Sequence, residues 1–351
     1  MRSLVKLAAV AGQGLLERLE RGHVVCAEGY LFELERRGYV QAGPFVPEAV
    51  LDHPEEVTQL HREFAHAGSD VVEAFTYYGH REKMRIVGKE HLLEDLNREA
   101  LALAKAVADE TGALFAGDIC NTNVFEPDDS ASKNAVRAMF EEQVAWAAEA
   151  GVDFVIAETF SYAEEARMAA EAIKAAALPA VVTICIHQQP FTREGLTPAE
   201  ACALLEEAGA DVVGLNCIRG PRTMLPFVSS IRERVSCHVA ALPVPYRTTE
   251  AEPTFQSLRD PRFDGMPFPT ALDPLQCNRY EIADFALEAD RLGVRYLGVC
   301  CGNAPHYVRA LAEALGRTPP ASRYSPDMSK HAYFGSDPSL KEHNVGYAAR
   351  L

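Results

Sequence analysis

Residues 141–160 read EEQVAWAAEAGVDFVIAETF. A polar, alanine-rich stretch with helical spacing runs up to Gly151, and an apolar run follows at once. Glycine just past a helix supplies a left-handed cap, and an unbroken apolar run reads as a strand buried on both faces. The same unit recurs in HREFAHAGSDVVEAFTY (61–77), AVADETGALFAGDI (106–119), ACALLEEAGADVVGLNC (201–217) and ALEADRLGVRYLGVCC (286–301). Between these lie VVCAEG (24–29), LPAVVTICIH (178–187) and CHVAALPVP (237–245). Eight strands, each with room for a helix after it, favour an α/β fold of the (β/α)8 type, the TIM barrel, over a doubly wound sheet. The strands are expected to end near Gly29, Tyr78, Cys120, Phe160, His187, Cys217, Pro245 and Gly302.

Two segments stand outside this alternation. The proline-rich stretch 246–275 has little periodicity and reads as a long loop after strand seven, on the face where barrel enzymes keep their active sites. From Thr318 the helical pattern stops. The chain is therefore divided into a barrel over 1–317 and an extended C-terminal tail over 318–351, which lies on the barrel or on a neighbouring subunit of a dimer or tetramer. The tail is not a separate domain.

Composition narrows the function. A chain of 351 residues that is 48% hydrophobic and 24% charged is not a disordered or fibrous protein. Fifty acidic against 34 basic residues give a formal charge of -16, which repels phosphate backbones; nucleic-acid binding is excluded and a small-molecule enzyme favoured. No window approaches the roughly 18 apolar residues of a membrane span. The start, MRSLVKLAAVAGQG, is broken by Lys6 and runs into the amphipathic LLERLERG, so it is not read as a signal peptide. Nine dispersed cysteines, an odd number, suit reduced thiols and a cytoplasmic enzyme.

GLNC (214–217) and GVCCG (298–302) carry the chemistry. Cys217 falls at the end of the sixth strand, and Cys300 with Cys301 at the end of the eighth, so all three face one barrel mouth. Adjacent cysteines on a regular strand would point to opposite sides, and Gly302 allows the local bend they need. A single cysteine is more often a small buried hydrophobe. Three at these two positions instead suit a tetrahedral Zn2+ with its fourth position open. The other six cysteines read as filler. Sulfur-rich zinc binds another thiolate well, so alkyl transfer to a thiol is the natural reaction class; hydrolytic zinc sites usually employ His and carboxylate ligands.

These residues, together with 35–78, 152–160, 209–217 and 293–315, resemble the homocysteine S-methyltransferase family, and most closely its betaine-using members. The resemblance covers about residues 15–320, and RYSPDMSK (323–330) is similar to a segment near the end of those enzymes. It implies a (β/α)8 barrel, zinc on Cys217, Cys300 and Cys301, and methyl transfer from an onium donor to a small thiol, homocysteine giving methionine. It also implies that Glu158 holds the acceptor's ammonium and that Tyr78 lies at the donor. Phe45, Tyr77 and Tyr78 supply aromatic faces suited to an onium group, which has no N–H to offer. Asn216 either orients the metal site through hydrogen bonds or satisfies loop backbone.

The chain departs from the family where substrates bind. Ala27-Glu28-Gly29 stands for Asp-Gly-Gly, so Glu28 brings its carboxylate one position later and Gly29 keeps the close backbone approach to the acceptor. Ala74 replaces a Thr, Thr159 an aromatic wall, and Phe45 a Trp. Glycine betaine, a bulkier betaine, S-methylmethionine and a dimethylsulfonium acid stay open as donors. A zinc barrel that has changed or lost its catalysis and a Cys300–Cys301 dithiol protein are the rival readings.

Overall fold

A computed structural model of the chain describes residues 14–337 together with 339, 346, 347 and 350. The N-terminal stretch read above as no signal peptide, and part of the tail, lie outside the described residues.

Alternation along the strands builds the interior. Val24 and Cys26, Val71, Leu114 and Ala116, Phe154 and Ile156, Val181, Val212, Ala240 and Leu242, and Tyr296 form one buried cluster. They come from β1 (Val24–Ala27), β2 (Val71–Glu73), β3 (Leu114–Cys120), β4 (Phe154–Phe160), β5 (Ala180–Ile184), β6 (Val212–Asn216), β7 (His238–Leu242) and β8 (Tyr296–Val299). All eight pair in parallel, and β8 closes on β1 through Val24–Tyr296 and Ala27–Val299. The expected (β/α)8 barrel is the observed fold. Leu15 and Leu19 of the helix Leu15–Arg21 join this interior cluster beside the first residues of the strands, so that helix plugs the N-terminal end. The opposite strand faces, such as Val25, Val72 and Phe115, pack on the surrounding helices.

The helix–glycine–strand unit folds as its sequence dictates. Gly68, Gly112 and Gly151 cap their helices in the left-handed region at φ 119, 75 and 78°. Several strands stop earlier than expected. β2 ends at Glu73 because the chain turns directly after it, Thr76 N–H donating to the Ala74 carbonyl at 2.8 Å, and β7 ends at Leu242 because Pro243 and Pro245 carry no N–H for the ladder. β5 stops at Ile184 and β8 at Val299, before the turn that carries the cysteine pair. The loop after β7 is pinned by its aromatic rings: Phe255 and Phe268 meet edge to face at 5.0 Å, and Tyr246 stacks on Phe255 at 5.8 Å. No helix among the described residues is long and apolar enough to cross a membrane.

His61, on the helix Pro54–Ala67, is 1% exposed, neither ring nitrogen has a hydrogen-bond partner, and its ring meets Tyr30 edge-on at 4.9 Å. Burial pushes it down to about 3 from 6.5. The folded pKa lies below the unfolded one, so stability is full above pH 6.5 and is lost as pH falls toward 3, by about 1.4 kcal/mol per pH unit. Denaturant titrations at pH 7, 6 and 5 are expected to show the wild type losing more stability than His61→Leu, by a margin that grows toward that slope as pH falls below 6.5. Parallel losses would show that His61 does not carry the acid sensitivity.

Candidate active site

The end of β7 positions the cysteines. Cys217 N–H donates to the carbonyl of Leu242 at 2.9 Å, and Cys300 N–H to that of Pro243 at 3.0 Å. Neighbouring carbonyls on one strand thus hold cysteines from the strands on either side. The bend expected at the pair is present: Cys217 sits at φ 54° and Gly302 at φ 94°. The three Sγ atoms of Cys217, Cys300 and Cys301 lie within 4.8 Å of one another. Hydrogen bonds from the thiols of Cys300 and Cys301 hold the Cys217 thiol well below its ordinary value. Cys300 is raised by burial and Cys301 by its contact with Cys217. One thiol of the group therefore ionises readily while the others donate to it. All nine cysteines are free, and Cys202 lies buried on the helix Pro198–Glu207, away from this group.

Asn216, the last residue of β6, ties the mouth together. Its Oδ1 accepts from Thr159 N–H at 3.0 Å. Its Nδ2 stands within reach of Glu158 Oε2, of Thr159 Oγ1 at 2.8 Å and of Glu28 Oε2 at 3.3 Å, with Cys300 Sγ at 3.9 Å. Thr159 Oγ1 in turn donates to Glu158 at 2.9 Å. These bonds hold Thr159 at φ 63°, a conformation that a β-branched residue adopts only under constraint. Phe45, Tyr78, Thr159 and Cys217 are four of the seven non-glycine residues with left-handed φ among the described residues. Strain is thus concentrated on residues singled out from the sequence.

The inward phase of the strands explains which carboxylates enter the mouth. Glu28 continues Val24 and Cys26, so it points into the barrel; Ala27 packs outward. By the same phase Glu73 follows Val71, Asp118 follows Leu114 and Ala116, and Glu158 follows Phe154 and Ile156. All four are buried, at 1, 2, 5 and 6% exposure. Glu28, Glu158 and Cys300 form one close group and Glu73, Asp118 and Glu158 another, each with ligand atoms within 4.8 Å. Burial and then the neighbouring acids push Glu28, Glu73 and Asp118 well above the carboxylate range. Burial also raises Glu158, to about 8. Glu73 and Asp118 were not anticipated. The signal lay in the alternation of VVE and LFAGD, which is masked when such runs are read simply as apolar.

A partly open cavity adjoins these groups. Gly29, Glu158, Thr159, Tyr77, Cys300 and Cys301 all line it, together with Glu73 and Asp118. Tyr77 and Tyr78 pack with ring centres 4.4 Å apart, and Tyr78 N–H donates to Cys120 Sγ at 3.2 Å. Phe45 does not line the cavity. Its ring stacks on Phe32 at 5.8 Å, in the aromatic cluster under the loop after β7.

Comparison with known proteins extends this picture. Residues 25–315 match the family model described as homocysteine S-methyltransferase. The chain is 39% identical over 336 residues to betaine–homocysteine S-methyltransferase 1 of Xenopus tropicalis, covering 93% of this chain and 81% of that one. It is 38% identical to the S-methylmethionine–homocysteine S-methyltransferase of Pongo abelii, over 93% of this chain and 87% of that one. Among solved structures, the homocysteine methyltransferase MmuM from Escherichia coli superposes with a TM-score of 0.64 at 18% identity, covering 82% of this chain and 94% of that one. That likeness supports the barrel fold.

Gly29 is at φ 90°, and a Cβ there would stand 2.6 Å from the carbonyl oxygen of Cys300. Gly195 has nearly the same φ, 89°, and open space around it. Gly195→Ala is expected to cost only the left-handed term, about 1 kcal/mol. Gly29→Ala should cost clearly more, because the turn that carries the cysteine pair must move. Equal losses in denaturant titrations would show that the contact with Cys300 does not fix this turn.

Proposed function

This chain belongs to the homocysteine S-methyltransferase family, and on that premise we propose that it transfers a methyl group from an onium donor to a thiol, with Zn2+ held by Cys217, Cys300 and Cys301. Homocysteine giving methionine is the first assignment for the acceptor, and a betaine or a sulfonium for the donor. The observation that carries the reading is the convergence of three thiols at one strained mouth. The donor set fits the metal: tetrahedral Zn–S bonds of about 2.3 Å place sulfurs ~3.8 Å apart, inside the observed spread. When bound, Zn2+ supplies a Lewis-acid position that lowers the pKa of an acceptor thiol.

The chain's own residues do the rest. Glu158 accepts hydrogen bonds from the acceptor's ammonium, and Asn216 with Thr159 fixes the orientation of its carboxylate. Glu28 places a second buried carboxyl group beside Cys300. Gly29 lets the backbone approach closely. Tyr77, which lines the cavity, offers an aromatic face to the onium group, and Tyr78 packs against it. Thr159 offers no ring, so the wall opposite the tyrosines is open enough for a bulkier onium than glycine betaine. The acceptor thiol gives up its proton to solvent, and the thiolate's electron pair forms the new S–C bond while the donor's C–N or C–S bond breaks, its electron pair leaving on a neutral amine or sulfide. Positioning and exclusion of water account for much of the rate. Residues 318–351 belong with the barrel as an extension of it, in a cytoplasmic homo-oligomer.

Cys217→Ala, Cys300→Ala and Cys301→Ala are each expected to lower bound zinc and abolish methyl transfer, whereas Cys202→Ala does neither. Metal content by mass spectrometry and methylated thiol from a panel of thiols and onium donors check this. Full zinc content in Cys300→Ala would remove the assignment.

A further inference from the structure

One ammonium cannot reach every acid at this mouth. Four buried carboxylates face it, and no Lys, Arg or His lines the cavity among the described residues. Homocysteine brings one N–H-bearing ammonium, and glycine betaine, a quaternary ammonium, brings none. Three carboxylate oxygens, Glu28 Oε1, Glu73 Oε2 and Asp118 Oδ1, are buried without a hydrogen-bond partner. Buried acceptors left in this state are costly unless something donates to them. Asn216 serves Glu158 and Glu28. Among the described residues, no side chain hydrogen-bonds the free oxygens of Glu73 and Asp118.

We propose that Glu73 and Asp118, beside Glu158, form a second ammonium subsite, and that one substrate of this chain carries a primary amine not balanced by a carboxylate. The inference rests on the methyl-transfer reading and narrows its substrates. The walls select the chemical class. Tyr30, Leu31, Ala74 and Phe75 line the same cavity, so an alkyl chain finds apolar contact while its ammonium finds acid. A –NH3+ group has three donors, and three carboxylates whose oxygens lie within 4.8 Å of one another match that number. A hard divalent cation would want six or more oxygen ligands, and these walls offer few. Cys300 and Cys301 line the cavity too, so one ligand can reach the subsite and the reacting centre together. The amine can arrive on the donor, as an aminoalkyl-trimethylammonium, or on the acceptor, as an aminothiol.

Two arms separate these sources. With homocysteine as acceptor, (2-aminoethyl)trimethylammonium is compared with glycine betaine; with glycine betaine as donor, cysteamine is compared with homocysteine. In at least one arm the amine compound is expected to win in kcat/KM by about tenfold or more. Glu73→Gln and Asp118→Asn should each remove most of that preference. Preference for the carboxylate-bearing compound in both arms, or a preference that neither variant moves, overturns the subsite. Calorimetric binding of n-butylammonium, which cannot react, tests it apart from turnover. Binding that is lost in Glu73→Gln supports the subsite even where no pair turns over, an outcome that would sink the methyl-transfer reading alone. Methyl transfer without butylammonium binding sinks the subsite alone. Both variants replace an unsatisfied buried acid with a neutral amide of the same shape, so thermal unfolding of each without ligand should occur at or above the wild-type temperature; a fall in one leaves the other to decide.

Discussion

Two consecutive carbonyls, those of Leu242 and Pro243 at the end of β7, receive the N–H groups of Cys217 and Cys300. That pair of bonds is the constraint on which the mouth depends. Parallel pairing around a closed barrel brings β6 and β8 to either side of β7, so a cysteine at each end falls within reach of the other without any long loop. Pro243 contributes by ending the ladder: with no N–H to continue β7, its carbonyl is left to anchor the neighbouring turn. The left-handed turns at Cys217 and Gly302 then rotate the thiols toward one point.

Such a mouth is expensive to build. Left-handed non-glycine residues each cost on the order of 1–3 kcal/mol, and buried carboxylates without counter-charge cost more than surface ones. The apolar lower barrel, with its end plugged by Leu15 and Leu19, and the outer helices packed on the far strand faces offset this. Asn216 concentrates the compensation in one side chain, because its amide serves the strained Thr159 backbone and two glutamates together. A division of labour follows. Charge, sulfur and strain gather at the C-terminal ends of the strands, and cohesion comes from everything below them.

The barrel was legible because its signal repeats: a glycine cap followed by an apolar run recurs along the chain, and Gly68, Gly112 and Gly151 cap as read. The cysteine group was legible because strand ends converge in this fold whatever the loops do. Strand ends were read too long where backbone decides, at Tyr78 and before Pro243, since a left-handed turn leaves little trace in residue type. Phe45 was placed at the donor by kind of residue, whereas its neighbour is set by a distant loop that packs Phe255 and Phe268 against Phe32. Glu73 and Asp118 were visible in the alternation of their strands, yet runs this apolar draw attention away from the single acid at their end.

Everything proposed for this mouth depends on three cysteine sulfurs forming one open metal site. Zinc K-edge X-ray absorption of the purified protein tests it most directly. Three sulfur neighbours and one lighter one are expected, with a fourth sulfur replacing the lighter neighbour when an acceptor thiol is added. A first shell of two or fewer sulfurs, or one completed by the carboxylates of Glu73, Asp118 and Glu158, would contradict it.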